Sequence, residues 1–171
     1  MKIAGVYSGH DCSFYISENG KPIIHAEYER YIREKEPVGD SIGFMLEEYE
    51  NCNDIKHVAL CHPVKKTTGH KESFEKLKKI VEKNGGTIFA TGHHEAHAAN
   101  AFFSSNFDES LIITFDGGGY ENDNFISACT AWEGKGNKIK PLSVFPLQQI
   151  NIGGIWTRVT RYVFKLSSGW P

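Results

Sequence analysis

Residues 92–103 read Gly92-His93-His94-Glu95-Ala96-His97-Ala98-Ala99-Asn100-Ala101-Phe102-Phe103, and they predict a helix that carries a pair of histidines. An apolar, strand-like run over residues 87–90 stops just before this stretch, and the alanines that follow have high helix propensity. On a helix, His93 and His97 are four residues apart, so their imidazoles project from one face. Two imidazoles arranged in that way can hold a single divalent metal ion.

The histidine pair does not establish a metal site by itself. Histidines at helical spacing also occur as solvated or core residues, and two ligands leave the coordination of a metal incomplete. A carboxylate is the kind of third ligand to expect. Glu95 points away from the pair, because at roughly 100° per residue it lies about 200° from His93. The pattern therefore differs from the His-Glu-x-x-His of metalloproteases, in which the glutamate is the general base.

Composition indicates an ordinary globular protein. The 171 residues are 40% hydrophobic and 23% charged, enough for a sizeable core. The formal net charge is -2, whereas proteins that bind nucleic acid through general electrostatic attraction are strongly basic. The four cysteines show no Cys-x-x-Cys, which speaks against a zinc knuckle or a disulfide framework. With no signal peptide and no run of transmembrane length, we expect a cytoplasmic protein without a membrane partner.

The first half of the chain alternates strands and helices. Strands are expected over residues 3–7, 12–17 and 23–28, as an antiparallel opening with a polar turn after the first. Asp40 or Ser41 caps a predicted helix, and a second helix is expected over residues 72–83. A buried strand over residues 57–61 and a loop over 62–70 lie between them.

The charged segment of residues 27–35 has two interpretations. It is a solvated connection, the commonest fate of a charge run. Alternatively, its cations form an anion site in which Arg30, Arg33 and Lys35 hold phosphate or carbamoyl oxygens.

The second half carries an aspartate followed by three glycines. Residues 111–115 predict a buried strand that ends in Asp116-Gly117-Gly118-Gly119. This places a carboxylate at a sheet edge, beside backbone amides that can approach a phosphate. The alternative is a flexible turn with a capping aspartate. Two further strands over residues 124–132 and 138–145 and a helix over residues 155–164 are expected after it.

Several motifs, in the same order, resemble the amino-terminal domain of the carbamoyltransferases that modify nodulation factors and antibiotics. They are His10-Asp11-Cys12-Ser13, residues 29–35 (Glu-Arg-x-x-Arg-x-Lys), residues 93–102, residues 115–119 and Gly153-Gly154-Ile155-Trp156-Thr157-Arg158-Val159-Thr160. Trp156 stands where this family usually has tyrosine, and Val163-Phe164-Lys165 stands in place of its Leu-Gly-Phe.

The resemblance implies an α/β fold, the first half of an actin-like or ribonuclease H-like ATPase domain, with a mixed sheet flanked by helices. It implies an enzyme that makes carbamoyl adenylate from carbamoyl phosphate and ATP, and then transfers the carbamoyl group to a hydroxylated small-molecule acceptor. By resemblance, His93 and His97 are metal ligands, and Asp116 binds the metal or orients the phosphates of the nucleotide, with iron expected and zinc or magnesium as alternatives. Gly117, Gly118 and Gly119 would cradle phosphate, and His10 and Lys35 would contact the nucleotide or the carbamoyl group.

The family's relatives continue with a second half of the actin-like domain and a YrdC-like domain. We therefore expect residues 1–171 to be one amino-terminal part of that domain and to be inactive alone. Two other hypotheses remain: a protein like the tRNA threonylcarbamoyltransferases, or a non-catalytic domain that self-associates through exposed apolar surface.

Overall fold

A computed structural model describes residues 1–166, and the last five residues, 167–171, lie outside that range. The chain forms two compact units, Met1–Thr91 and Gly92–Pro171. Each unit contains its own sheet and its own cluster of buried apolar side chains.

A mixed five-stranded sheet forms the first unit. Its strands are β1 (Lys2–Tyr7), β2 (Ser13–Glu18), β3 (Lys21–Glu27), β4 (Ile55–Cys61) and β5 (Thr87–Thr91). Their order is β3-β2-β1-β4-β5, where the first three strands are antiparallel and β4 and β5 continue in parallel from β1. This order and these directions belong to the actin-like, ribonuclease H-like fold, and they confirm the predicted fold class and antiparallel opening.

Four helices accompany this sheet: α1 (Tyr28–Ile32), α2 (Ser41–Glu48), α3 (Val64–Thr68) and α4 (Lys71–Lys83), with a single 3-10 turn at Cys52–Asp54. The apolar spacing predicted α2 and α4, whereas α1 forms where a charged connection was expected and has no buried residue that could mark it. Asp40 caps α2, because its Oδ1 accepts a hydrogen bond of 2.9 Å from the Gly43 amide. Leu77 and Val81 of α4 are buried, as expected of the inward face of an amphipathic helix.

The loop predicted for residues 62–70 is wrong in its middle, where the chain forms α3. Pro63 sits at the amino-terminal cap of this helix, and Thr67 is fully buried. Five residues are too few to show helical periodicity, so the sequence carried little signal for the helix.

The second unit has a three-stranded antiparallel sheet in the order β6-β7-β8. Its elements are α5 (His93–Phe103), β6 (Glu109–Asn122), β7 (Phe125–Lys135), β8 (Lys138–Pro146) and α6 (Ile152–Arg158), followed by a π-helical turn at Val159–Val163. Helix α5 packs on the sheet through Ala98 and Phe102, which are buried with Ile112 and Trp132. The helix expected at residues 155–164 thus begins three residues earlier and changes its winding at Val159.

Strand β6 differs from the prediction in its burial and in its end. Leu111, Ile113 and Phe115 are exposed, so one face of the strand expected to be buried is open. Asp116 does not follow the last residue of a strand, because β6 runs on to Asn122. Phe115 pairs with Cys129 and Gly119 with Ser127, so four steps along β6 match two along β7. This bulge lifts residues 116–118 out of the ladder and changes where the Asp116 side chain points.

Within residues 1–166, no helix is both long and apolar enough to cross a lipid bilayer.

Candidate metal centre

Helix α5 begins at His93 and carries both predicted histidines in its first two turns. The Glu95 carboxylate turns back to the start of the helix, where its Oε2 accepts a hydrogen bond of 3.2 Å from the Gly92 amide. Such an acidic group near a helix amino terminus satisfies an otherwise unpaired N–H and interacts favourably with the helix dipole. Glu95 thus caps α5.

The side chains of His93, His97 and Asp116 converge. His93 Nε2 lies 2.6 Å from Asp116 Oδ2 and 3.1 Å from His97 Nε2, and His97 Nε2 lies 3.5 Å from Asp116 Oδ2. The two histidines come from one face of α5, whereas Asp116 comes from the bulge in β6. The structure therefore brings together the three residues that the resemblance implied as metal ligands.

This arrangement fits a divalent transition metal. Ligand distances of about 2.0–2.2 Å put neighbouring donor atoms roughly 2.8–3.6 Å apart around a tetrahedral or octahedral ion. The three donors lie within 4.8 Å of one another and need only small shifts to reach that spacing. Two imidazoles and one carboxylate form a set that binds iron(II) or zinc and leaves coordination positions open.

The Asp116 carboxylate is held in its ionised form. Hydrogen bonds from His93 and His97 are the largest causes, and the Gly117 amide adds another, so the pKa of Asp116 lies far below its usual range. An ionised carboxylate beside two imidazoles gives the site the negative charge that a metal cation requires.

Gly119 allows His93 to approach the sheet. A Cβ at position 119 would lie 2.0 Å from Cδ2 of His93, far inside van der Waals contact. Gly118 has a φ of +144°, a backbone conformation that residues with a side chain rarely adopt. Gly117 is exposed to solvent. The Gly117 amide donates to Asp116 Oδ1 at 2.5 Å. The expected phosphate cradle of Gly117 to Gly119 stays a prediction, and at Gly119 the structure supplies a separate reason for glycine.

A second close approach involves Gly153, near the start of α6. A Cβ there would lie 2.6 Å from the backbone N and Cα of Gly117. Asn151 caps this helix, because its Oδ1 accepts a hydrogen bond of 2.5 Å from the Gly154 amide. The glycine pair at 153–154 therefore lets α6 begin directly against the bulge that carries Asp116.

His10 and Lys35 belong to the first unit, where each has a local acidic neighbour. His10 Nδ1 lies 2.7 Å from Asp11 Oδ2, and Lys35 Nζ lies 3.5 Å from Glu29 Oε1. Arg30 contacts Glu27 and Glu29 at 2.9 and 3.1 Å. Both interpretations of residues 27–35 stay open, and the roles of His10 and Lys35 toward a nucleotide or carbamoyl group stay predictions.

His94 is the residue of this stretch that sequence reasoning passed over. It directly follows His93 in the sequence but is fully buried, and burial lowers the pKa of its imidazole because the charged form loses hydration. The spacing of His94, Ala98 and Phe102 at i, i+4 and i+8 marks the buried face of α5, and it was the signal that could have placed His94 in the core.

Glu121 was also passed over, since nothing in its local sequence distinguishes it. Its Oε1 accepts hydrogen bonds of 3.3 Å from the His94 amide and 2.6 Å from Ser127 Oγ. Together with Glu95, it satisfies amides at the start of α5 that have no partner within the helix.

Comparison with known proteins is in line with the fold and the motifs. The sheet order places the first unit in the actin-like class, and the crystal structure of T. kodakarensis HypF superposes on 84% of the chain with a TM-score of 0.60. That superposition covers 18% of the HypF chain at 19% identity, which shows a shared fold. No protein-family model matches the sequence.

Two nodulation proteins are similar in sequence to part of the chain. The chain is 37% identical over 83 residues to nodulation protein NolNO of Sinorhizobium fredii, and 38% identical over 71 residues to nodulation protein NolO of Bradyrhizobium diazoefficiens. These alignments cover 48% and 42% of this chain, but 11% and 12% of the two relatives. The chain is thus related to the nodulation proteins NolNO and NolO, as its ordered motifs predicted, and it spans a small part of their length.

Proposed function

We propose that this chain supplies the metal-binding part of an ATP-dependent O-carbamoyltransferase. The observation that carries the proposal is the convergence of His93, His97 and Asp116 in a chain related to NolNO and NolO. In the proposed reaction, carbamoyl phosphate and ATP yield carbamoyl adenylate, whose carbamoyl group passes to the hydroxyl of a small-molecule acceptor.

His93, His97 and Asp116 would hold the metal through Nε2 atoms and Oδ2, the atoms that face one another. A bound divalent cation would offset the negative charge of phosphate oxygens that otherwise repels a nucleophile. Gly117 to Gly119 would present backbone amides to phosphate, and His10 and Lys35 would bind the nucleotide or carbamoyl group. Iron is the expected metal; zinc shares its preference for imidazole, whereas magnesium prefers oxygen ligands.

Metal content tests this proposal directly. We expect elemental analysis of the purified chain, after loading with iron(II) without oxygen, to give about one metal per chain. His93→Ala, His97→Ala and Asp116→Asn should each lose most of that metal. His25→Ala is the matched control, because His25 is an exposed histidine of strand β3. Equal metal content in His93→Ala and in the unmodified chain would contradict the metal centre.

The transfer reaction is tested with the full-length protein encoded by the gene for this chain. Labelled carbamoyl phosphate and ATP are supplied with hydroxylated small molecules in one reaction and with tRNA in another. Label on the small molecules supports the proposal, whereas label only on tRNA would establish the threonylcarbamoyltransferase-like alternative. A metal-free protein that transfers no label and self-associates regardless of ATP would point to the non-catalytic alternative.

A further inference from the structure

A buried chain of hydrogen bonds connects α5 to β6 and β7. His94 Nδ1 lies 2.7 Å from Thr114 Oγ1, which lies 2.6 Å from Thr130 Oγ1. Trp132 Nε1 donates to that Thr130 oxygen at 2.6 Å. At the other side of the imidazole, His94 Nε2 lies 3.2 Å from the carbonyl oxygen of Ser127. All five residues are buried, so bulk water cannot replace these partners.

The residues at the two ends of this hydrogen-bond chain, Trp132 and Ser127, determine which atom donates in every hydrogen bond. The Trp132 indole is a donor only, so Thr130 Oγ1 accepts from it and keeps its own proton available for Thr114 Oγ1. Thr114 then donates to His94 Nδ1. The Ser127 carbonyl is an acceptor only, so His94 Nε2 must carry the imidazole proton. The neutral Nε2–H tautomer of His94 is the form that satisfies every member.

Helix α5 would be poorly oriented without this hydrogen-bond chain. The apolar contacts of Ala98 and Phe102 are non-directional and tolerate small rotations of the helix. The imidazole of His94 can bond to both Thr114 and Ser127 in only one orientation. In addition, the backbone amide of His94 donates a hydrogen bond to the Glu121 carboxylate. A rotation of α5 that broke these bonds would also swing its neighbour, His93, away from the bulge in β6.

We infer that His94 is a positioning residue, which is held as the Nε2–H tautomer by the hydrogen-bond chain from Trp132 and aims His93 and His97 at Asp116. The inference rests on the proposed metal centre. His94 touches neither the metal nor the substrate in this role; it acts through the orientation of α5, in the way that outer partners orient the ligands of a metal site.

Thr130 is the best position for a test, because it lies two hydrogen bonds away from His94 and belongs to β7, which carries none of the proposed metal ligands. Thr130→Val keeps the shape of the side chain and removes the hydroxyl, whereas Thr130→Ser keeps the hydroxyl. Thr67→Val is the control for the cost of the substitution itself, because Thr67 is equally buried and its hydroxyl has no hydrogen-bond partner in the described structure.

Two measurements decide the outcome. Two-bond ¹⁵N–¹H spectra of the imidazoles report the His94 tautomer, and titration with Co²⁺, well below the unfolding temperature of each variant, reports affinity and ligand geometry by absorption. We expect the Nε2–H tautomer in the unmodified chain. In Thr130→Val, Co²⁺ affinity should fall about tenfold with an altered spectrum. Thr130→Ser and Thr67→Val should bind like the unmodified chain.

Each part of the inference would be overturned by a different result. An Nδ1–H tautomer in the unmodified chain would overturn the inferred hydrogen-bond chain. Unchanged Co²⁺ affinity and spectrum in folded Thr130→Val would overturn the positioning role and leave the proposed function standing. An unmodified chain that shows the Nε2–H tautomer but binds no Co²⁺ would overturn the metal centre, and the positioning role with it.

Discussion

Gly119 and His93 are in contact, and no other residue type fits at position 119 without displacing the imidazole. A Cβ there would lie 2.0 Å from Cδ2 of His93. The glycines after Asp116 thus have at least one role that involves no ligand: they make room for the histidine that faces the aspartate. This relationship links the Asp-Gly-Gly-Gly motif to the histidine helix, although 26 positions separate the two residues in the sequence.

The first prediction concerns Gly119→Ala. We expect the added methyl group to push the His93 ring out of the site, to weaken metal binding at least tenfold and to lower the free energy of unfolding by about 1–3 kcal/mol. Gly117→Ala is the matched control, since a Cβ there meets nothing within 4 Å. Metal titration and thermal unfolding of both variants check the prediction. A Gly119→Ala variant that behaves like Gly117→Ala would show that His93 adapts without cost.

The second prediction concerns acid stability of the metal-free chain. Because the folded-state pKa of Asp116 is lowered, its ionised form contributes stability above the unfolded pKa near 3.8, and this contribution is lost as pH falls toward the folded value. Asp116→Asn lacks that contribution. We therefore expect the difference in stability between the unmodified chain and Asp116→Asn to shrink as the pH is lowered from 5 to about 2. Urea unfolding at several pH values measures it, and a constant difference would contradict it.

The third prediction concerns the cysteines, which form no disulfide within the described residues. Burial raises the pKa of Cys52 to about 11, and Cys12 and Cys129 are also buried with raised pKa values. Few of these thiols are ionised at pH 8, so iodoacetamide should modify half-exposed Cys61 first. Peptide mass spectrometry over a time course checks this order. In urea all four cysteines should react at similar rates, and selective labelling of Cys52 in the folded chain would contradict the burial.

The fourth prediction concerns the ion pair between Lys2 and Asp54 at the start of the first sheet. Lys2 Nζ lies 2.6 Å from Asp54 Oδ2, and the Lys2 side chain is only 10% exposed whereas Asp54 is 60% exposed. Asp54→Asn leaves a largely buried ammonium group without its anion, while Lys2→Met leaves a carboxylate that water can hydrate. We expect Asp54→Asn to be the more destabilising change in urea unfolding. Equal effects would indicate that Lys2 reaches solvent when its partner is removed.

Local patterns predicted most of the first unit. Alternating and amphipathic runs placed its five strands and the helices α2 and α4 within a few residues of their observed ends. The same patterns missed α1 and α3, which are too short to display a period, and they stopped β6 at Asp116. A strand that continues through three glycines by means of a bulge has no alternating apolar pattern to reveal it.

The sequence alone places His93 and His97 on one face of a helix, because that follows from helical geometry over four residues. It also determined, through its ordered motifs, that the chain is related to the nodulation proteins. The folded structure was needed to show that Asp116 meets both histidines and that His94 turns into the core. Those relationships depend on a bulge in β6 and on the packing of α5 against two strands, and contacts between residues distant in sequence leave no local pattern from which they could be read.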